Sequence, residues 1–101
     1  MKEVNEQELL QLQSEGKKIL LDLYATWCGP CKMLMPMLES MQSKHPDAVF
    51  LKMDVDKNRD FAMNLGIRSV PTVTIYNGND LVNKTTGVQQ ENFYAGILTS
   101  F

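Results

Sequence analysis

The sequence predicts a three-layer α/β domain built on a mixed central sheet, and three observations carry that prediction. The run ILLDLY, residues 19–24, is apolar except for Asp22, as a strand buried on both faces requires. Helix-period and strand-period segments then alternate, so successive strands are joined by crossovers and lie parallel. Further on, the dipeptide NG at 77–78 separates two strand-like runs and signals an antiparallel hairpin at one sheet edge. Helices on both faces of such a sheet complete the class.

The elements follow in order. Residues 1–4 leave room for only a very short first strand. NEQELLQLQSEG carries Leu9, Leu10 and Leu12 on a polar background and stops at Gly16, the pattern of a short amphipathic helix. KILLDLYA is the buried strand. After Cys28 the pattern turns helical, with Leu34, Leu38 and Met41 at helical spacing and Met37 beside them. Pro36 lies inside this helix, cannot donate to its ladder and crowds the Lys32 carbonyl, so a kink is expected there. HPD at 45–47 ends the helix. AVFLKMDVD alternates Val49, Leu51, Met53 and Val55 with more polar neighbours and reads as a strand. NRDFAMNLG places Phe61 and Leu65 four apart before Gly66, a short helix. TVTIY, a type I′ turn at NG, and DLVNKTT make the hairpin. QQENFYAGILTSF pairs Phe93 with Ile97 and Tyr94 with Leu98, a terminal amphipathic helix.

Composition narrows the function classes. The chain has 101 residues, 44% hydrophobic and 22% charged, which suits one domain with a core of its own. A net charge of −2 provides no basic footprint for nucleic acid and no polybasic membrane patch. No stretch is apolar for long enough to span a bilayer. The polar, acidic N-terminal segment lacks the apolar core of a signal peptide, so a cytoplasmic location is expected. In that setting two thiols are catalytic or metal-binding rather than structural.

Both cysteines lie in ATWCGPCK, residues 25–32. Two cysteines three apart on the first turn of a helix can form a disulfide. That turn also offers unpartnered N–H groups and the positive end of the helix dipole, both of which stabilise a thiolate. Cys28 is therefore the expected nucleophile. Pro30 fits the first turn without loss of a helical hydrogen bond and stiffens it. Gly29 removes bulk beside the attacking sulfur, and Trp27 offers an apolar wall. A zinc site is disfavoured, because two cysteines and a distant His45 leave the metal short of four ligands.

Asp22 is costly inside an apolar strand unless it has a task or a partner. Desolvation should raise its pKa towards neutrality, where a carboxylate exchanges protons with a thiol. Lys52, in the next strand, is its natural charge partner. In SVPT, residues 69–72, Pro71 stands at a strand start in a bond that can be cis. Val70 would then present free backbone groups to an extended peptide.

Taken together, WCGPCK, Asp22 six residues before the first cysteine, Pro36 five after the second, VPT at 70–72, NG at 77–78 and Gly87 resemble the thioredoxin family from about Leu9 to the end of the chain. The resemblance implies a five-stranded sheet in the order 1-3-2-4-5 flanked by four helices. It implies reduction of protein disulfides, with Cys28 attacking, Cys31 resolving, and a reversible Cys28–Cys31 disulfide in place of any separate cofactor. Asp22, linked to Lys52, would assist deprotonation of Cys31. Pro71 would be cis, and Trp27, Gly29, Pro30, Ile67, Val70 and Gly87 would form the docking surface. The implied partners are disulfide-containing proteins and a thioredoxin reductase, with the chain acting as a monomer. Tyr24 stands where the family often has Trp, and Thr26 replaces a commonly acidic or small residue.

Two other readings compete. A thiol oxidant or isomerase is disfavoured by the Gly-Pro pair. A binding subunit of another enzyme, its redox chemistry secondary, is the alternative from a different class. The methionines at 33, 35 and 37 spread around their helix and read as core filler and adaptable surface.

Overall fold

A computed structural model describes all 101 residues. Five strands, β1 (Lys2–Glu3), β2 (Lys18–Tyr24), β3 (Ala48–Asp54), β4 (Thr72–Asn77) and β5 (Asp80–Thr86), form one sheet in the order β1-β3-β2-β4-β5. The β1–β3 and β3–β2 pairs are parallel, and β2–β4 and β4–β5 are antiparallel. Four helices, α1 (Glu6–Ser14), α2 (Gly29–Met41), α3 (Arg59–Asn64) and α4 (Glu91–Leu98), cover the two faces. The mixed sheet and the strand order agree with the sequence reading.

The period of a strand divides the core in two. Leu20 on β2, Phe50 on β3, and Val73 and Ile75 on β4 pack with Leu34, Leu38 and Met41 of α2 and with Tyr94 and Leu98 of α4. On the opposite face Ile19, Leu21 and Leu23 of β2 join Leu51, Met53, Tyr76 and Leu9 of α1. By the same alternation Asp22 shares the α2/α4 face with Leu20, while Lys52 is its register partner on β3.

Several element details depart from the sequence expectations. The alternation in β3 predicts one buried side chain in two, but Phe50 and Leu51 are both buried, because helices cover both faces. α2 ends at Met41 and gives way to a 3-10 turn over Gln42–Lys44 before His45, so HPD follows an already tightened end. The NG turn is displaced by one residue: Asn77 stays paired with Asp80, leaving Gly78 and Asn79 as the loop. Only Gly78 has positive φ, at 60°, so the turn fits type II′ with glycine first rather than type I′. The reason lies beneath it. The Gly78 N–H donates to the Lys17 carbonyl at 2.8 Å, and its Cα packs over Gly16.

Local signals explain the helix starts. Asn5 caps α1 in a reciprocal box with Glu8, each side chain accepting from the other's backbone N–H at 2.9 and 3.0 Å. On α3 it is Ala62 that is buried, with Phe61 and Leu65 half-covered. Lys18 fastens the end of α4, donating to the Leu98 carbonyl at 2.7 Å and to Asp47 at 2.9 Å. None of the helices is long and apolar enough to cross a membrane.

Candidate active site

The site forms where parallel strands β2 and β3 end, the edge at which loops can converge without breaking sheet pairing. The loop after β2 leads through Ala25 and Trp27 to Cys28, which caps α2. Gly29 and Pro30 are the first helical residues, so proline occupies a position with no hydrogen bond to lose. Cys28 and Cys31 are joined as a disulfide, with Cα atoms 5.4 Å apart. The Cys31 N–H donates to the Cys28 sulfur at 3.2 Å. This is a free donor of the first turn, aimed at the sulfur that would carry negative charge after reduction. Both cysteines are buried, Cys28 at 4% exposure being slightly the more accessible residue of the two against 1% for Cys31.

Asp22 is 0% exposed, and neither of its carboxylate oxygens has a hydrogen-bond partner. Burial pushes its pKa from 3.8 up to about 7, with the Lys52 charge acting in the opposite direction. An isolated anion there is costly, and protonation is the cheaper state near neutrality. Lys52 is not in ion-pair contact with it. The ammonium instead lies 3.9 Å from the Met35 sulfur and 5.9 Å from the Tyr24 ring centre. Lys52 therefore acts on Asp22 as a charge through space, without an ion-pair contact.

Trp27 is 70% exposed, its indole N–H donating to Asp56 at 2.9 Å. That bond fixes the ring as one wall of a cleft of about 270 Å³ that also contains Val55, Ala62, Met63, Ile67 and Val70. The Val70–Pro71 peptide is cis, and Pro71 begins the approach to β4. Among the residues expected to dock substrate, Trp27, Ile67 and Val70 meet in this cleft. Gly29 and Pro30 are exposed on the first turn of α2, outside it. Nothing in the chain lies within 4 Å of a side chain added at Gly29, so its smallness leaves room for something arriving from outside. Gly87 has φ of 87°, and its N–H holds the Pro71 carbonyl at 2.8 Å. It supports the cis-proline segment rather than lining the cleft.

Sequence reasoning missed Asp56, Val55 and Met63. Asp56 and Val55 follow directly on β3, and the rule that sites gather at the carboxyl ends of parallel strands would have found them. Met63 carried no comparable signal. His45 is buried against Phe50, 6.3 Å between ring centres, and takes no part in the site.

The same fold occurs in known proteins. The family model described as Thioredoxin matches residues 2–99. A thioredoxin of Ophiophagus hannah is 40% identical over 88 residues, covering 86% of this chain and 84% of that protein. A chloroplastic F-type thioredoxin of Brassica napus is 42% identical over 91 residues, covering 88% of this chain but only 50% of its own length. The present chain thus spans about half the length of that relative. A mutant thioredoxin from Halobacterium salinarum superposes with a TM-score of 0.91 at 35% identity, over 99% of this chain and 88% of the other.

Proposed function

The chain belongs to the thioredoxin family, whose chemistry is dithiol–disulfide exchange, and we propose that it reduces the disulfides of other proteins through Cys28 and Cys31. The observation that carries this reading is the Cys28–Cys31 disulfide at the α2 N-terminus, with the Cys31 N–H on the Cys28 sulfur.

In the dithiol form, the Cys28 thiolate attacks one sulfur of a substrate disulfide. A mixed disulfide forms, and the other substrate sulfur leaves as a thiolate and takes up a proton. Cys31 then loses its proton and attacks the Cys28 sulfur. The intramolecular disulfide closes, and the second substrate thiol departs. Two electrons and two protons have passed to the substrate. Asp22, with its pKa near 7, is the base we assign to the Cys31 proton. Its burial in β2 supports that assignment, since a solvated carboxylate near 4 would be too weak a base. Lys52 modulates Asp22 through its charge. Val70 and the cis-Pro71 segment hold the substrate backbone while Trp27 and Ile67 cover its apolar side chains.

The partners that fit are proteins with accessible disulfides, and a thioredoxin reductase that restores the dithiol. We place the chain in a reducing compartment, the cytoplasm, acting as a monomer in one domain over residues 1–101. The use of both its cysteines in the reactive pair supports this placement. A role as a binding subunit with incidental redox chemistry is not favoured, because the Cys28 sulfur already holds the Cys31 N–H at 3.2 Å at the start of α2, and the strand leading into that helix carries a buried carboxyl, Asp22.

Reduction of insulin disulfides tests the proposal. Wild type should accelerate the reaction, and Cys28→Ser should abolish it. Cys31→Ser should instead accumulate mixed disulfides through Cys28. An active Cys28→Ser protein, or a Cys31→Ser protein that traps nothing, would overturn the assigned order of attack.

A further inference from the structure

Of the chain's ten basic residues eight are lysines, spread over the fold, and only two are arginines. Both arginines, Arg59 and Arg68, line the cleft beside Trp27 and Val70. They come from different segments, Arg59 from the first residue of α3 and Arg68 from the loop before cis-Pro71. Neither takes part in the three salt bridges of the fold, which use Lys2, Lys18 and Lys44. One carboxylate lines the same cleft, Asp56, and it is occupied by the Trp27 indole N–H at 2.9 Å. The cleft therefore presents an apolar floor and two unpaired guanidiniums on a protein whose overall charge is −2. Guanidinium forks match carboxylates in a way that lysine ammonium groups do not.

We propose that Arg59 and Arg68 are specificity-determining residues that select protein disulfides flanked by acidic side chains. The inference deepens the disulfide-reductase reading and rests on it. An extended substrate segment lying along Val70 would place its disulfide at Cys28 and its neighbouring Asp or Glu carboxylates against the two guanidiniums. Outside the cleft lining, Lys57, on the exposed turn before α3, and Asp60, on its first turn, oppose one another, while the Lys84 ammonium, donating to the Leu65 carbonyl at 3.1 Å, adds a further positive charge beside the segment that carries Arg68.

The test compares two synthetic peptides, each with one intramolecular disulfide, flanked by Glu in one and by Lys in the other. Reduction by the dithiol protein is followed through the fluorescence of Trp27, the sole tryptophan. Wild type should show a kcat/KM for the Glu peptide roughly fivefold above that for the Lys peptide, the scale of two exposed charge contacts. The preference should shrink as salt rises from about 50 mM to about 500 mM. The Arg59→Glu/Arg68→Glu double variant should reverse it, whereas Lys17→Glu, which alters charge at the far end of β2, should not. Equal rates for the two peptides in wild type, or a ratio unchanged in the double variant, would overturn the inference. Bis(2-hydroxyethyl) disulfide, which carries no charge, separates this from the reading beneath it. If wild type fails to reduce that too, the reductase reading itself falls. Single Gln variants at either arginine, together with the wild-type salt series, give the answer if the double variant does not fold.

Discussion

Asp22→Asn should remove most of the pH dependence of stability of the oxidised protein between about pH 4 and pH 8. In the unfolded chain the carboxyl ionises near its ordinary 3.8; in the fold it holds its proton to about 7, because burial desolvates the anion and Lys52 offsets only part of that. Over the interval between these values the folded state binds one more proton than the unfolded state. Stability therefore falls as pH rises, and the loss is complete just above the folded value. A tenfold change in proton affinity corresponds to about 1.4 kcal/mol, so holding the proton to about 7 instead of 3.8 makes the charged carboxyl cost about 4 kcal/mol at pH 8. That is a large part of the total for a domain of this size. Denaturant unfolding, followed by Trp27 fluorescence and by circular dichroism, measures it at intervals from about pH 4 to pH 8. The wild-type curve should descend by about 4 kcal/mol across the range, and the gap to the asparagine variant should change by that amount. The amide brings N–H donors into a site with no partners, which lowers the variant's stability by a constant and leaves its slope unchanged. Asp47, whose pKa is lowered first by the hydrogen bond from Lys18, titrates in both proteins and cancels in the difference. Parallel pH profiles for the two proteins would refute the reasoning, and so would a wild-type stability that rises from pH 5 to pH 8.

Lys52→Met should move the Asp22 titration upward from about 7, because it deletes the one charge that lowers it; carbon-13 chemical shifts of the carboxyl measure this directly. Leu34→Ala, in the core between α2 and the sheet, should cost about 2–5 kcal/mol in denaturant unfolding. Gly78→Ala should cost about 1–2 kcal/mol, because an L side chain is strained at this φ and its Cβ would meet the Gly16 Cα at 3.3 Å. Asn5→Ala should cost about 1 kcal/mol through loss of the α1 cap, measured the same way.

Some of this site could be read from the chain, and the boundary of what could be read has a physical cause. The β2 run announced itself because six residues of nearly unbroken apolarity suit only a strand covered on both sides, and the intrusion of Asp22 there marked a buried carboxyl. Local chemistry likewise placed Cys28 at a helix start, since Gly-Pro follows it. Interactions that depend on how separate segments meet were beyond such reading. Lys52 is beside Asp22 in register, so a pair looked natural, yet the ammonium turns towards Met35 and Tyr24 and leaves both Asp22 oxygens without partners. The turn at Gly78 shifted by one residue because of Gly16 and Lys17, distant in the chain and adjacent in space. The same logic accounts for the arginines. Arg59 and Arg68 lie nine residues apart at the two ends of the largely apolar run RDFAMNLGIR, and neither has a sequence neighbour that marks it. They become one feature only when α3 and the segment before cis-Pro71 are packed on either side of a single cleft. The reaction is thus encoded locally, in a cysteine pair and one buried carboxyl, whereas the choice of substrate is encoded by packing. Substitutions at the cleft can therefore alter which disulfides are reduced while the chemistry at Cys28 stays the same.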